Sequence, residues 1–551
     1  MIKILQKLIS LYGGDKGKKT AKKLEEIISE AKSKITPSGK EFWDEEDIFL
    51  ITYPNSFWEK NVLPLKTLNK FIDMHLRGTF DAVHILPFFP YSSDKGFSVI
   101  DYYQVKPEFG SWQHIEAISK SYRLMADLVL NHVSVKHEWF QKFLAGEEKY
   151  WNYFIHFAKD EIPHEALKKV SRPRASPLLT SFSTKRGERW VWTTFSVENS
   201  TDQVDLNYKN PEVLQEIIRV LLFYLEKGVR IFRLDAIPYI WKEVGTNCKS
   251  LPQVHTIISI LRGVLDQVCP AALIVTQSSV SFEENISYFG KSTPASQIVY
   301  NFSLPPLVLN AFYAQNNSHL NNLALKMNVP NERCSFFNVL ALHDGIGING
   351  AKGFLSDQEL QHMFDRVQKN SGQLSYRTAP DGKKRVIEMN STWWSALNTD
   401  EESFELQKRK FITSYAICMA LKGIPALYYL SLFGQSNDLE LYKKTKIKRD
   451  LNRTEYSLDA IQLQLAKSDS KEATIATELK ELVAKRKTMR AFHPNAQQDV
   501  VNLDPRVFAL VRGEGSERVL ALHNISKDRV EVDYEGKKFA LEPYDFDWVI
   551  C

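Results

Sequence analysis

Eight runs rich in β-branched and aromatic residues, most of them ending in polar or catalytic-type residues, punctuate the chain at residues 48–53, 82–89, 124–131, 229–235, 273–277, 298–304, 336–344 and 424–429. Near-continuous apolar runs of this kind suit strands buried on both faces. Most are separated by helix-period patterns such as 114–121, 212–226 and 254–268. Strands alternating with helices predict an α/β fold, a (β/α)8 TIM barrel. The alternation lapses once, where residues 134–205 are rich in polar, aromatic and proline side chains and read as a subdomain inserted after strand 3 and overhanging the site. Past the eighth run a long helix is predicted over 457–487. Beyond Pro494, short alternating runs at 507–512, 519–524, 530–534 and 539–541 predict a small C-terminal antiparallel β domain. The expected organisation is an N-terminal helical extension (1–47), a barrel (48–133 and 206–490), the insertion (134–205) and the β domain (491–551).

Composition changes this picture little. Lys and Arg total 71 against 66 Asp and Glu, a net charge of +5 with no long basic block, so nothing calls for a nucleic-acid partner. The longest apolar stretch, 411–433, is broken by Lys422, Gly423 and Pro425 and reads as a buried helix followed by a strand; no membrane partner is expected. Lysines interrupt the first residues before an apolar signal core can form, and an amphipathic helix is expected there. The five cysteines (248, 269, 334, 418 and 551) are widely spaced with no Cys-x-x-Cys pair, which fits a reducing, cytoplasmic setting. A homodimer is compatible with the sequence.

The candidate chemistry sits at the strand ends. Phe232-Arg233-Leu234-Asp235-Ala236 closes the fourth run with a carboxylate two residues after an arginine, which would keep it ionised. Alone, that motif is equally a structural ion pair. Beside it stand Asp127-Leu128-Val129-Leu130-Asn131-His132, Thr276-Gln277 and His343-Asp344-Gly345. With these the chain resembles glycoside hydrolase family 13, the α-amylase family. Leu86-Pro87-Phe88-Phe89-Pro90, Asp94-Lys95-Gly96-Phe97, Arg172-Pro173-Arg174, Gln203-Val204-Asp205-Leu206-Asn207, His343-Asp344-Gly345-Ile346-Gly347 and Asn452-Arg453 are similar to the sucrose phosphorylase branch, which includes enzymes acting on glucosylglycerate. The resemblance spans residue 51 to the C-terminus.

The resemblance implies double displacement at an α-glucosyl centre. Asp235 would be the nucleophile and Arg233 its ionising partner; Asp344 would stabilise the transition state, His132 and His343 would hydrogen-bond glucose, and Asp94, Phe97 and Arg453 would help line its pocket. Phosphate would be co-substrate, with Arg174 as its candidate ligand and no other cofactor. No metal site is expected; Asn131 is of a type that could ligate calcium, without a complete oxygen cage.

The chain departs from that pattern at the fifth strand end, where the family's acid/base glutamate is Gln277, which cannot exchange the catalytic proton. Where a phosphate-binding tyrosine is expected before Asn390, the residues are Val386-Ile387-Glu388-Met389. Gln277 is either a substitution introduced into an ordinary phosphorylase or a natural feature of an impaired relative. Glu283 and Glu284 lie past the strand end and read as helix-start or surface carboxylates rather than a displaced acid. Three readings follow: a phosphorylase, a sugar-binding pseudoenzyme, and a hydrolase. The loops 376–383 and 434–438 are expected to set the acceptor, and the basic Arg377, Lys383, Lys384 and Arg385 suit an anionic aglycone or a solvated loop equally.

Overall fold

A computed structural model describes residues 1–551 except 38, 39, 41, 175, 197–201, 291–294 and 379–382. Its centre is a closed parallel barrel of β1 (Phe49–Thr52), β2 (Ala82–Ile85), β3 (Arg123–Val129), β4 (Val229–Asp235), β5 (Leu273–Thr276), β6 (Ile298–Tyr300), β7 (Ser335–Val339) and β8 (Ile424–Tyr428), with β8 pairing back onto β1. The predicted (β/α)8 barrel is therefore the fold. Most strands end before their apolar runs do, because the C-terminal residues of those runs open into the loops that carry the polar side chains.

Amphipathic helices Pro211–Glu226 and Pro252–Val268 bury their apolar stripes on the outside of the barrel. Both begin with proline in the first turn, where its missing N–H costs no helical bond. The N-terminal residues form two helices, Ile2–Tyr12 and Gly14–Lys32, which pack on that outer ring through Ile4, Leu8, Leu24 and Ile28.

After β3, His132–Val133 pairs with Val204–Asp205, and the intervening segment carries a sheet of His156–Phe157, Gly187–Trp192 and Leu179–Thr184 around a small core of Val170, Leu178 and Trp192. The apolar stretch 411–433 resolves into the end of a buried helix (Phe404–Ala420), β8 and a short 3-10 segment, and no described helix is long and apolar enough to cross a membrane.

Three expectations need correction. The helix expected over 457–487 is two, Leu458–Leu465 and Lys471–Lys487, because Ser470 caps the second by accepting from the Ala473 N–H at 3.0 Å. The C-terminal sheet is Gln498–Asp504, Val507–Arg512, Val519–Asn524 and Phe546–Ile550, while Val530–Tyr534 and Lys537–Leu541 form a separate hairpin. Its two outer strands are partly exposed and lack a continuous apolar run, so their pattern is weak. Finally, 376–378 belong to a strand rather than a loop: Gln373–Thr378 and Lys384–Asn390 are antiparallel strands joined to Ile346–Gly347, and residues 379–382 of the expected loop lie outside the described residues.

Candidate active site

One pocket opens at the C-terminal end of the barrel, where α/β barrels place their chemistry. Asp94, Phe97, His132, Arg174, Asp235, Gln277, His343 and Asp344 all line it. Arg233 and Arg453 do not; both are buried behind the lining.

Arg233 and Asp235 are two apart on β4 and so project to the same face. In register, Arg233 lies beside Asp127 of β3. Its guanidinium bridges both carboxylates, donating to Asp127 and, at 2.7 Å, to Asp235. Asp127 also shares a hydrogen bond with His84 Nε2 at 2.8 Å, completing a buried ladder beneath the pocket. Arg233 holds the Asp235 carboxyl down, but burial outweighs the guanidinium and pushes that carboxyl up to about 6, helped by the negative charges of Asp127 and Asp344. Above pH 6 it is still predominantly a carboxylate, and a more basic one than an exposed aspartate.

Asp344 is treated oppositely. Burial raises its pKa, but Arg449, which donates to it at 2.8 Å, with His343 and Arg453 holds it well below the usual carboxylate range. The glycine that follows it is required: Gly345 has φ +105°, and a Cβ there would lie 2.6 Å from the Met389 carbonyl oxygen. Asp94, at φ +50° beside Lys95 at φ +46°, is likewise held in the left-handed region, as is Ala236 at φ +49° directly after Asp235. Three such non-glycine residues around one pocket mark a backbone bent to aim side chains rather than to relax.

The histidines behave differently from each other. His132 lines the pocket, its Nε2 donating to the Phe97 carbonyl at 3.0 Å and its Nδ1 meeting the Asn131 amide at 3.2 Å. His343 stacks on Phe97 with ring centroids 5.0 Å apart, has its Nε2 3.3 Å from Asp344, and is driven down to about 3 mainly by burial. Both rings are neutral at physiological pH.

Gln277 Oε1 accepts the Ala236 N–H at 3.0 Å, which fixes the amide beside Asp235. Glu284 is tied to Lys249 at 3.0 Å and Glu283 to Lys326 at 3.3 Å; neither lines the pocket. Asn131 is not available to calcium, since its Oδ1 accepts from Lys242 Nζ at 2.6 Å and that ammonium also pairs with Asp205 at 2.7 Å. Among the described residues no group of three or more histidine, cysteine, aspartate or glutamate side chains could hold a metal ion.

Sequence reasoning missed Arg449. It donates to Glu388 at 2.9 Å as well as to Asp344, and lies 3.7 Å from Asp94. The signal available was its spacing of four from Arg453, which lies 3.7 Å from Asp94 and donates to the His343 carbonyl at 3.0 Å. Phe195, Tyr239, Phe302 and Arg377 also line the pocket, and Ile387 occupies the wall where the tyrosine was expected. Residues 434–438, expected to set the acceptor, face elsewhere: Asn437 accepts the Thr392 N–H at 2.7 Å and Asp438 caps the helix Leu439–Thr445.

The pocket also presents cations. Arg174 and Arg377 both line it, and the Nε of each is buried without a hydrogen-bond partner. The Arg174 guanidinium is held somewhat below its usual pKa, first by burial and then by Arg449. Arg377, Lys249 and Arg385 in turn lower Lys352 after burial.

Comparison with known proteins agrees with the geometry. The alpha-amylase catalytic-domain family model matches residues 75–339. The protein named glucosylglycerate phosphorylase in Spirochaeta thermophila is 40% identical over 548 residues, covering 98% of this chain and 92% of the relative. Its namesake in Escherichia coli K12 is 38% identical over 563 residues, covering 99% of each. A crystal structure of sucrose 6F-phosphate phosphorylase from Thermoanaerobacter thermosaccharolyticum superposes with TM-score 0.78 at 26% identity, over 92% of this chain and all of that one. With relatives this similar along its whole length and strand-end carboxylates gathered in one pocket, this chain belongs to the α-amylase family.

Proposed function

We propose that the chain is a retaining α-glucoside phosphorylase that moves a glucosyl group from a small glucoside with an anionic aglycone, of the glycerate kind, to phosphate. The observation that carries this reading is the pairing of Asp235 and Asp344 in one pocket that is also lined by Arg174 and Arg377, each with a buried Nε that has no hydrogen-bond partner. In this reading Asp235 attacks the anomeric carbon and the aglycone departs, leaving a β-glucosyl-enzyme. Phosphate then attacks from the vacated side, so two inversions give α-glucose 1-phosphate. Asp344, kept anionic by Arg449, meets the positive charge that develops on the sugar. Planar guanidinium forks suit both the carboxylate of a glycerate and the oxygens of phosphate, which occupy the pocket in turn. The relatives named glucosylglycerate phosphorylases support that choice of aglycone. No organic cofactor or metal is part of the scheme, and a cytoplasmic setting belongs to the same proposal.

Gln277 favours a second reading, a sugar-binding protein impaired in catalysis. α-Glucosyl fluoride separates the two, since fluoride leaves with little protonation. The phosphorylase reading expects a glucosyl adduct on Asp235 by mass spectrometry, absent in Asp235→Asn, and discharged by phosphate as α-glucose 1-phosphate. Folded protein with no adduct would favour the binding reading; glucose released regardless of phosphate would favour a hydrolase.

A further inference from the structure

A second cavity lies at the opposite end of the barrel. Its wall includes Leu273, the first residue of β5, Gln297, which directly precedes β6, and Arg333, two residues before β7. At about 270 Å³ it is roomier than the pocket at the C-terminal end, which has about 140 Å³. The helix Ile2–Tyr12 closes one side of it. Ile4 packs so closely on the helix Pro252–Val268 that a Cβ added to Gly263 would lie 2.9 Å from the Ile4 Cγ1. That approach brings Lys3 and Lys7, four residues apart and so on one helix face, to the cavity wall.

Cations dominate the lining. Lys3, Lys7, Arg262 and Arg333 face one lining carboxylate, Asp266, which already accepts from Arg262 Nε at 2.8 Å. Neither lysine forms an ion pair with a described residue. Like charges at that spacing oppose the helix that carries them. Burial holds Lys7 below its usual pKa, and Lys3 adds to this against the pull of Asp266. Arg262 is fixed in place, donating also to the carbonyls of Ala272 and Pro270 and to Gln297 Oε1. Gln297 Oε1 accepts the Ile274 N–H at 3.0 Å as well, which sets the orientation of the amide. Its Nε2, on a residue only 7% exposed, is then a donor with no partner among the described residues. Ile4, Phe42 and Leu273 supply an apolar wall.

We infer that this cavity binds a small phosphomonoester, its phosphate held by Lys3, Lys7 and the Gln297 amide and its organic part against Phe42 and Leu273. Two ammonium groups match a dianion, which a phosphomonoester with a second pKa of about 6 is at neutral pH. A single water needs about 10–15 Å³ of such space, so there is room for the ion and a few carbons beyond it. Bound anion replaces the repulsion between Lys3 and Lys7 with attraction, and so fastens the Ile2–Tyr12 helix to the barrel. The inference is independent of the phosphorylase reading, because the two cavities share no lining residue.

The test gives the full chain glycerol 3-phosphate, with glycerol and with sodium chloride at matched ionic strength as comparators. Amide hydrogen exchange of residues 2–12, and acylation of Lys3 and Lys7 by a succinimidyl ester, are read by mass spectrometry. With ligand at ten times its dissociation constant, exchange through opening of the helix should slow about tenfold, because only the closed form binds. Both lysines should be shielded from acylation over the same concentration range, and neither comparator should have an effect. In the double variant Lys3→Gln/Lys7→Gln, exchange should stay at its ligand-free rate; Lys3 is exposed and Lys7 half-buried, so the fold tolerates the change. If glycerol 3-phosphate slows neither process, if chloride protects equally, or if the double variant keeps the protection, the inference is overturned.

Discussion

Replacing Arg233 by methionine probes the strand-end chemistry most directly. The guanidinium is 1% exposed and is the cation shared by Asp127 and Asp235, of which the first is fully buried. Methionine retains most of the buried volume, so the change is chiefly electrostatic: two carboxylates are left with no cation between them. Removing one partner of a buried ion pair typically costs about 3–5 kcal/mol. Asp235 already sits near 6 with Arg233 as the largest influence holding it down, so without it the carboxyl is mainly protonated at neutral pH. A carboxyl whose folded pKa lies above its unfolded value takes up protons on folding, and the stability this brings is lost as pH rises through the folded value. The deficit of Arg233→Met in urea denaturation should therefore be largest near pH 8 and shrink below pH 6. Glucosylation of Asp235 by α-glucosyl fluoride at pH 7 should slow at least about tenfold, since only the ionised carboxyl attacks. A variant as stable as the parent at pH 8 and labelled at the parent rate would refute this account of Arg233.

Gln277→Glu should raise phosphorolysis of glucosylglycerate by about 10² to 10⁴, because one carboxylate oxygen can keep the Ala236 N–H while the other faces the leaving group; a coupled assay for glucose 1-phosphate reads it, and an inert variant would mean the pocket lacks more than its acid. If Arg174 grips phosphate, calorimetry should show glucose 1-phosphate binding more tightly than glucose, and Arg174→Ala should remove about 1.5–3 kcal/mol of that difference. Glu388→Gln takes away one of the three carboxylates that share Arg449, so Arg449 should tighten on Asp344 and compete with sugar hydroxyls. Glucose affinity should then fall by roughly tenfold, about 1.4 kcal/mol, and unchanged affinity would show that Glu388 has no such influence.

The barrel and the end that carries its polar cluster were legible along the chain. Residues buried on both faces must be apolar throughout, so each barrel strand left a run that periodicity could find, and the catalytic-type residues stood where those runs stopped. Arg233 and Asp235 were legible because two residues along a strand share a face whatever the fold does next. Gln277 was legible as a departure because it ends the fifth run. The tertiary structure decided everything that depends on residues far apart in the chain. Arg449 became a centre of the site only because its loop and the strand Lys384–Asn390 deliver it to Asp344 and Glu388, a juxtaposition without local pattern. His132 lines the pocket as its place in the strand-end motif suggested, but only the fold brings its Nε2 to donate to the Phe97 carbonyl, thirty-five residues away. Whether Asp235 is a strong or weak acid was likewise undetermined by its neighbour at 233. Burial and the summed charge of Asp127 and Asp344 set it, and both arise from packing in three dimensions rather than from sequence.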